Sequence, residues 1–194
     1  MPNPATAPAA LTNFHHVAYR CRDAMETRAF YEGVLGLPMK IALDFTEVSG
    51  TDTKLEYMHL FFELEDGNFI AFFDAPDSVR NDHFKKQSGF NRHVAFETKS
   101  LDALDSYLAR LKEHAVDYWG PLDHGFVKSI YFYDPNGINL EITCRTAEYD
   151  AILLHEAAHK EQALSAWTER TRAKKMLRLQ QSVSAVPAVE VGNV

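Results

Sequence analysis

One short segment occurs twice in this chain, and that repetition constrains the fold more than any other feature. Phe14-His15-His16-Val17-Ala18-Tyr19 returns 77 residues later as Asn91-Arg92-His93-Val94-Ala95-Phe96. Each copy is a β-like run, followed at the same distance by a helix-capping residue, Asp23 seven after His16 and Ser100 seven after His93. Behind the caps, Ala24 to Val34 carries Phe30, Tyr31 and Val34, and Leu101 to His114 carries Leu104, Leu108 and Leu111, so both segments predict amphipathic helices. Three strand-like runs follow each helix: Met39 to Phe45, Leu55 to Leu64 and Phe69 to Phe73, then Asp117 to Trp119, Phe126 to Tyr133 and Ile138 to Cys144. Glu65-Asp66-Gly67 and Asp134-Pro135-Asn136-Gly137 supply turns. The chain therefore reads as α+β, with two tandem βαβββ modules at about 13–75 and 90–145 forming one domain over 13–145 and a mixed-sheet cleft between them.

The ends read differently. Residues 1–12 and 181–194 are rich in Ala, Pro, Val and Ser without periodicity, the pattern of loose tails. Between them, 146–180 lacks Gly and Pro and is dense in Ala, Glu, Lys, Arg and Leu, which predicts a long helical extension. A chain of 194 residues that is 46% apolar can close one sizeable core. With 20 Lys and Arg against 27 Asp and Glu, its net charge of −7 argues against binding through phosphate neutralisation, so nucleic acid is not an expected partner. No run of 18 apolar residues and no basic, apolar leader occurs, and the expectation is a cytoplasmic protein without a membrane partner. Cys21 and Cys144 are too few for a disulfide framework and are expected to be reduced thiols.

Alternation along a strand sends one of His15 and His16 inward, and the repeat selects His16, the counterpart of His93. If the modules pack side by side, the two imidazoles converge and Glu141 on the last strand can join them. Two neutral imidazoles and one carboxylate form a facial set with open positions, suited to Fe(II) or Mn(II) that must also bind substrate and dioxygen.

The segment from His124 to Glu141 adds a pattern. His124, Tyr131 seven residues later, the Asp134-Pro135-Asn136-Gly137 turn and Glu141 ten after the tyrosine resemble the signature of the type I extradiol ring-cleaving dioxygenases of the vicinal oxygen chelate superfamily. The opening agrees, since His16-Val17-Ala18 followed by Phe30-Tyr31 and Val34-Leu35-Gly36-Leu37 looks like the superfamily's first strand and helix. The resemblance covers about 13–145 and implies a small aromatic diol and O₂ as substrates, His16, His93 and Glu141 as ligands of Fe(II) or Mn(II), and His124 and Tyr131 as catalytic groups. Leu122 departs from the smaller or polar residue usual there. A further active-site histidine of larger members has no counterpart, with Asn68 in its place and His59 and His83 as distant substitutes. Single-domain members commonly pair, so the resemblance implies a homodimer or a higher homo-oligomer. In it the apolar stripe Leu153, Ala157 and Leu164, with Trp167, would be covered.

Other readings stay open. On the same fold, a glyoxalase-like isomerase or lyase needs a fourth ligand from the middle strands, where Ala71 stands unless a shifted register turns Glu63 or Asp74 inward. A non-catalytic resistance or binding protein would leave the ligand, tyrosine and histidine set unexplained. His155-Glu156-Ala157-Ala158-His159 matches the zinc-protease spacing literally, but His155 and His159 fall opposite the apolar stripe and would face solvent.

Overall fold

The computed structural model describes residues 10–80 and 82–184. Two compact units divide at Arg145 and Thr146. The first contains β1 (His16–Cys21), α1 (Ala24–Arg28), β2 (Met39–Glu47), β3 (Lys54–Glu63), β4 (Phe69–Asp74), β5 (Val94–Thr98), α2 (Leu101–Glu113), β6 (Tyr118–Asp123), β7 (Val127–Tyr133) and β8 (Asn139–Arg145). Each module folds into one four-stranded sheet, ordered β1-β4-β3-β2 and β5-β8-β7-β6. The first strand of each module lies parallel to the fourth, and the remaining pairs are antiparallel. This is the α+β architecture of tandem βαβββ modules expected from the repeat.

Local chemistry accounts for the element boundaries. Asp23 accepts the Glu26 N–H at 2.7 Å and Ser100 accepts the Ala103 N–H at 3.1 Å, so both anticipated caps start their helices. The first helix does not continue as an α-helix to Val34. From Ala29 to Val34 its turns widen into a π-helix, with the Leu35 N–H reaching the Phe30 carbonyl at 3.1 Å, and the wide turn buries Phe30, Tyr31 and Val34 on one face. Strands β1 and β5 begin at His16 and Val94, later than the repeated sequence suggests.

Alternation divides each sheet into a core face and a far face. Leu60, Phe62, Ile70 and Phe72 from the first sheet join Ile130, Phe132, Leu140 and Ile142 from the second in one core, closed by Phe30, Tyr31, Leu104 and Leu111. Burying each of these large side chains is worth about 1.5–3 kcal/mol. Polar ties reinforce the module junction. The Tyr31 hydroxyl donates to Asp134 Oδ2 at 3.1 Å, and Arg110 Nε donates to the Val34 carbonyl at 2.8 Å. Cys21 and Cys144 are buried free thiols, and burial pushes that of Cys21 up to about 12.

The second unit carries α3 (Tyr149–Ser184), which runs past the boundary expected at 180. Residues 1–9 and 185–194 of the expected tails lie outside the described residues. Among the described residues no helix is long and apolar enough to cross a membrane.

Candidate metal centre

The far face of the second sheet carries a hydrogen-bonded run of site residues. Register places Glu141 on β8 between Tyr131 on β7 and Ala95 on β5. The Tyr131 hydroxyl donates to Glu141 Oε1 at 3.1 Å, which leaves its oxygen to accept from His124 Nε2, 2.9 Å away. Burial, with the Glu141 charge adding to it, raises the Tyr131 pKa and keeps the phenol protonated. Trp119 stacks on Tyr131 at 5.4 Å between centroids. His124 stands in the β6–β7 turn, where its N–H donates to the Val127 carbonyl at 2.9 Å.

His93 stands immediately before β5. Its Nδ1 lies 2.8 Å from the Gly89 carbonyl, an acceptor only, so Nδ1 carries a proton and Nε2 is the nitrogen that faces the site. Nε2 lies 3.5 Å from Oε2 of Glu141, which is 8% exposed. With Nε2 deprotonated, the imidazole and this buried carboxylate present two acceptors that fit a cation between them. The carbonyl behind the imidazole fixes the tautomer as such partners do for metal-bound histidines. A Cβ at Gly89 would meet Asn139 Oδ1 at 2.9 Å, so a larger residue there would push the Asn139 side chain aside. Sequence reasoning missed both: Gly89 lies in the loop before β5, which carries no periodic signal, and Asn139 on β8 meets it only through the tertiary fold.

His16 belongs to the other sheet. It lies on the far face of β1, with ring centroids 5.6 Å from Phe61 and 6.4 Å from His59, and its Nδ1 lies 2.8 Å from that of His15. Among the described residues, no three His, Cys, Asp or Glu side chains gather into a group that could hold a metal ion. The modules meet through their core faces, so the faces bearing His16 and the His93–Glu141 pair both turn away from the shared core. Within one chain the expected convergence of the two histidines does not occur.

On the middle strands, alternation puts Glu63 on the far face with His59 and Phe61, across β4 from Phe69 and so on the face of His16, whereas Ala71 has no ligating group. Ala71 pairs with Ala18 and Phe61, Asp74 accepts the Ala24 N–H at 2.8 Å, and Glu63 pairs with Lys40 at 3.1 Å. Of the three substitutes for the absent family histidine, Asn68 is bonded to Asp66 in the β3–β4 turn and His83 accepts the Arg80 N–H. Only His59 shares the face of His16. Its ring stacks on Phe73 at 3.8 Å, and burial, aided by His16, lowers its pKa. On α3, His155 and His159 are exposed, as expected, and His159 Nδ1 is 2.7 Å from the His155 carbonyl. A cavity of about 720 Å³ beside Leu35, Leu64, Phe96 and Tyr107 contains none of these residues.

Residues 13–142 match the family model of the glyoxalase/bleomycin resistance protein/dioxygenase superfamily. A protein of Arabidopsis thaliana named glyoxylase I 4 is 27% identical over 148 residues, which span 73% of this chain and 76% of that protein. A glyoxalase/dioxygenase of Nostoc punctiforme superposes with a TM-score of 0.55 at 28% identity, over 75% of this chain and 99% of the other. A variant of the fosfomycin resistance protein FosX of Listeria monocytogenes, solved with Mn(II) and a dihydroxypropylphosphonic acid, superposes with a TM-score of 0.53. It is 20% identical, over 73% of this chain and 99% of its own.

Proposed function

Because the chain belongs to the glyoxalase/bleomycin resistance protein/dioxygenase superfamily, we propose that it is an extradiol dioxygenase that opens a small aromatic diol with O₂, using Fe(II) or Mn(II) held by His16, His93 and Glu141. The observation that carries this reading is the run His124–Tyr131–Glu141 with His93 Nε2 beside it. It joins a proton-handling pair to the carboxylate of a metal site. A resistance protein that only sequesters a ligand has no use for such a run.

The metal that His16, His93 and Glu141 would hold would supply Lewis-acid chemistry toward the diol and dioxygen when bound. Glu141 contributes one negative charge and the imidazoles none, so a catecholate can enter without excess repulsion. The Tyr131 phenol remains protonated and can turn its hydroxyl from Glu141 to a substrate oxygen. His124, bonded to the same hydroxyl, can supply or receive the proton at Tyr131 Oη. Trp119 backs the Tyr131 ring and restricts its rotation. The Mn(II) bound by FosX of Listeria supports a divalent ion on this fold.

In this reading the third ligand comes from a second copy. One chain carries two half-sites on faces that turn away from its core, and a homodimer that sets His16 of the partner subunit against His93 and Glu141 completes each. An isomerase reading draws support from the name of the Arabidopsis relative, but it calls for a fourth ligand where Ala71 stands. Anaerobic loading with Fe(II), followed by O₂ uptake with mono- and bicyclic catechols and a hemithioacetal isomerase assay in parallel, tests the proposal. Uptake without isomerase activity is expected; isomerase activity without uptake would overturn it.

A further inference from the structure

The far face of the first sheet carries more than His16. Alternation on β3 and β4 brings Tyr57, His59, Phe61, Phe69 and Phe73 to one continuous aromatic wall, with His59 4.2 Å from Phe61 and Phe61 5.8 Å from Phe69 between ring centroids. Such rings ordinarily pack into a core, yet the core lies on the opposite side of this sheet. The wall also contains one polar atom that no described residue satisfies. His59 Nε2 is buried and has no hydrogen-bond partner, although its ring is locked by stacking on Phe73 at 22°. An unmet buried imidazole nitrogen costs stability, and a Phe or Leu would fill the same space without that cost.

We infer that His59 is the polar contact of an aromatic-walled substrate subsite, where its Nε2 hydrogen-bonds a hydroxyl on a planar aromatic ligand held against Phe61 and Phe69. The inference rests on the proposed function for the metal beside the subsite, since the His59 ring lies 6.4 Å from that of His16. It goes beyond that proposal by naming a specificity residue outside the His124–Glu141 signature and by assigning the ligand one hydroxyl that faces the first sheet. His59 acts by contact with the ligand and not as a metal ligand.

The test uses Mn(II)-loaded full-length protein and two probes followed by absorbance and calorimetry, 4-nitrocatechol as a diol and 4-nitrophenol as a planar mono-hydroxyl compound. In His59→Phe, Mn(II) affinity should stay within about twofold and probe affinity should fall about tenfold, the weight of one hydrogen bond. The melting temperature should rise by about 2–4 °C as the unmet nitrogen disappears. His59→Gln should recover part of the affinity and serves if the Phe variant does not fold. Unchanged probe affinity in both variants would overturn the inference, as would loss of Mn(II) from folded variants, which would make His59 a ligand. Binding of 4-nitrophenol but not 4-nitrocatechol, with loss in His59→Phe, would keep the subsite and sink the diol reading. A wild type that binds neither probe would end both.

Discussion

Tyr131 stands between a histidine and a carboxylate, and its two hydrogen bonds fix what each substitution there should do. Tyr131→Phe and His124→Asn remove a proton-handling group but no ligand. Metal content should therefore hold while turnover falls about 10²-fold, as measured by metal analysis and O₂ uptake on the same preparation. His93→Ala and Glu141→Ala each remove half of a pair whose atoms are 3.5 Å apart and should reduce bound metal to below about one tenth of wild type after dialysis. That His124, Tyr131 and Glu141 come together was legible in the sequence because all three belong to one hairpin, where spacing along the chain is spacing in space. The Gly89 carbonyl behind His93 and the unmet nitrogen of His59 were not. The first depends on a loop conformation, and the second on which face of β3 meets the core.

At the scale of elements, the turn between β7 and β8 fastens the modules as well as joining two strands. Asp134 is 3% exposed and accepts from Tyr31 Oη, the Ile138 N–H and both the main-chain and side-chain nitrogens of Asn136. Asp134→Ala leaves several buried donors unmet and should cost about 3 kcal/mol in urea unfolding. Gly137 holds φ at +76°, and a Cβ there would meet the Phe84 carbonyl at 2.4 Å, so Gly137→Ala should cost about 2–4 kcal/mol by the same measurement. The pattern read as a functional signature thus contains residues that hold the fold between those proposed to act at the site. The repeat, the caps and all eight strands could be read from periodicity. The π-helical turn of Ala29–Val34 could not, because its buried face is set by the Tyr31–Asp134 contact 103 residues away.

At the scale of the whole molecule, the sequence placed His16 correctly on a first strand and misjudged how the modules meet. A pattern of alternating apolar residues shows that each sheet has a core face, but not that both core faces share one core. In a dimer completed across chains, neither His16→Ala nor Glu141→Ala alone has a working site, whereas a mixed dimer of the two regains one intact site. Co-refolding the inactive variants should restore about one quarter of wild-type activity at equal mixing, since half the dimers are mixed and each has one site. No recovery would place the complete site within a single chain. The central claim is tested most directly by oxygen consumption of anaerobically purified, Fe(II)-loaded protein supplied with catechols. The account predicts one O₂ consumed per diol and a yellow ring-opened product, abolished in Glu141→Ala. Fully loaded protein that takes up no O₂ with any mono- or bicyclic catechol would contradict it.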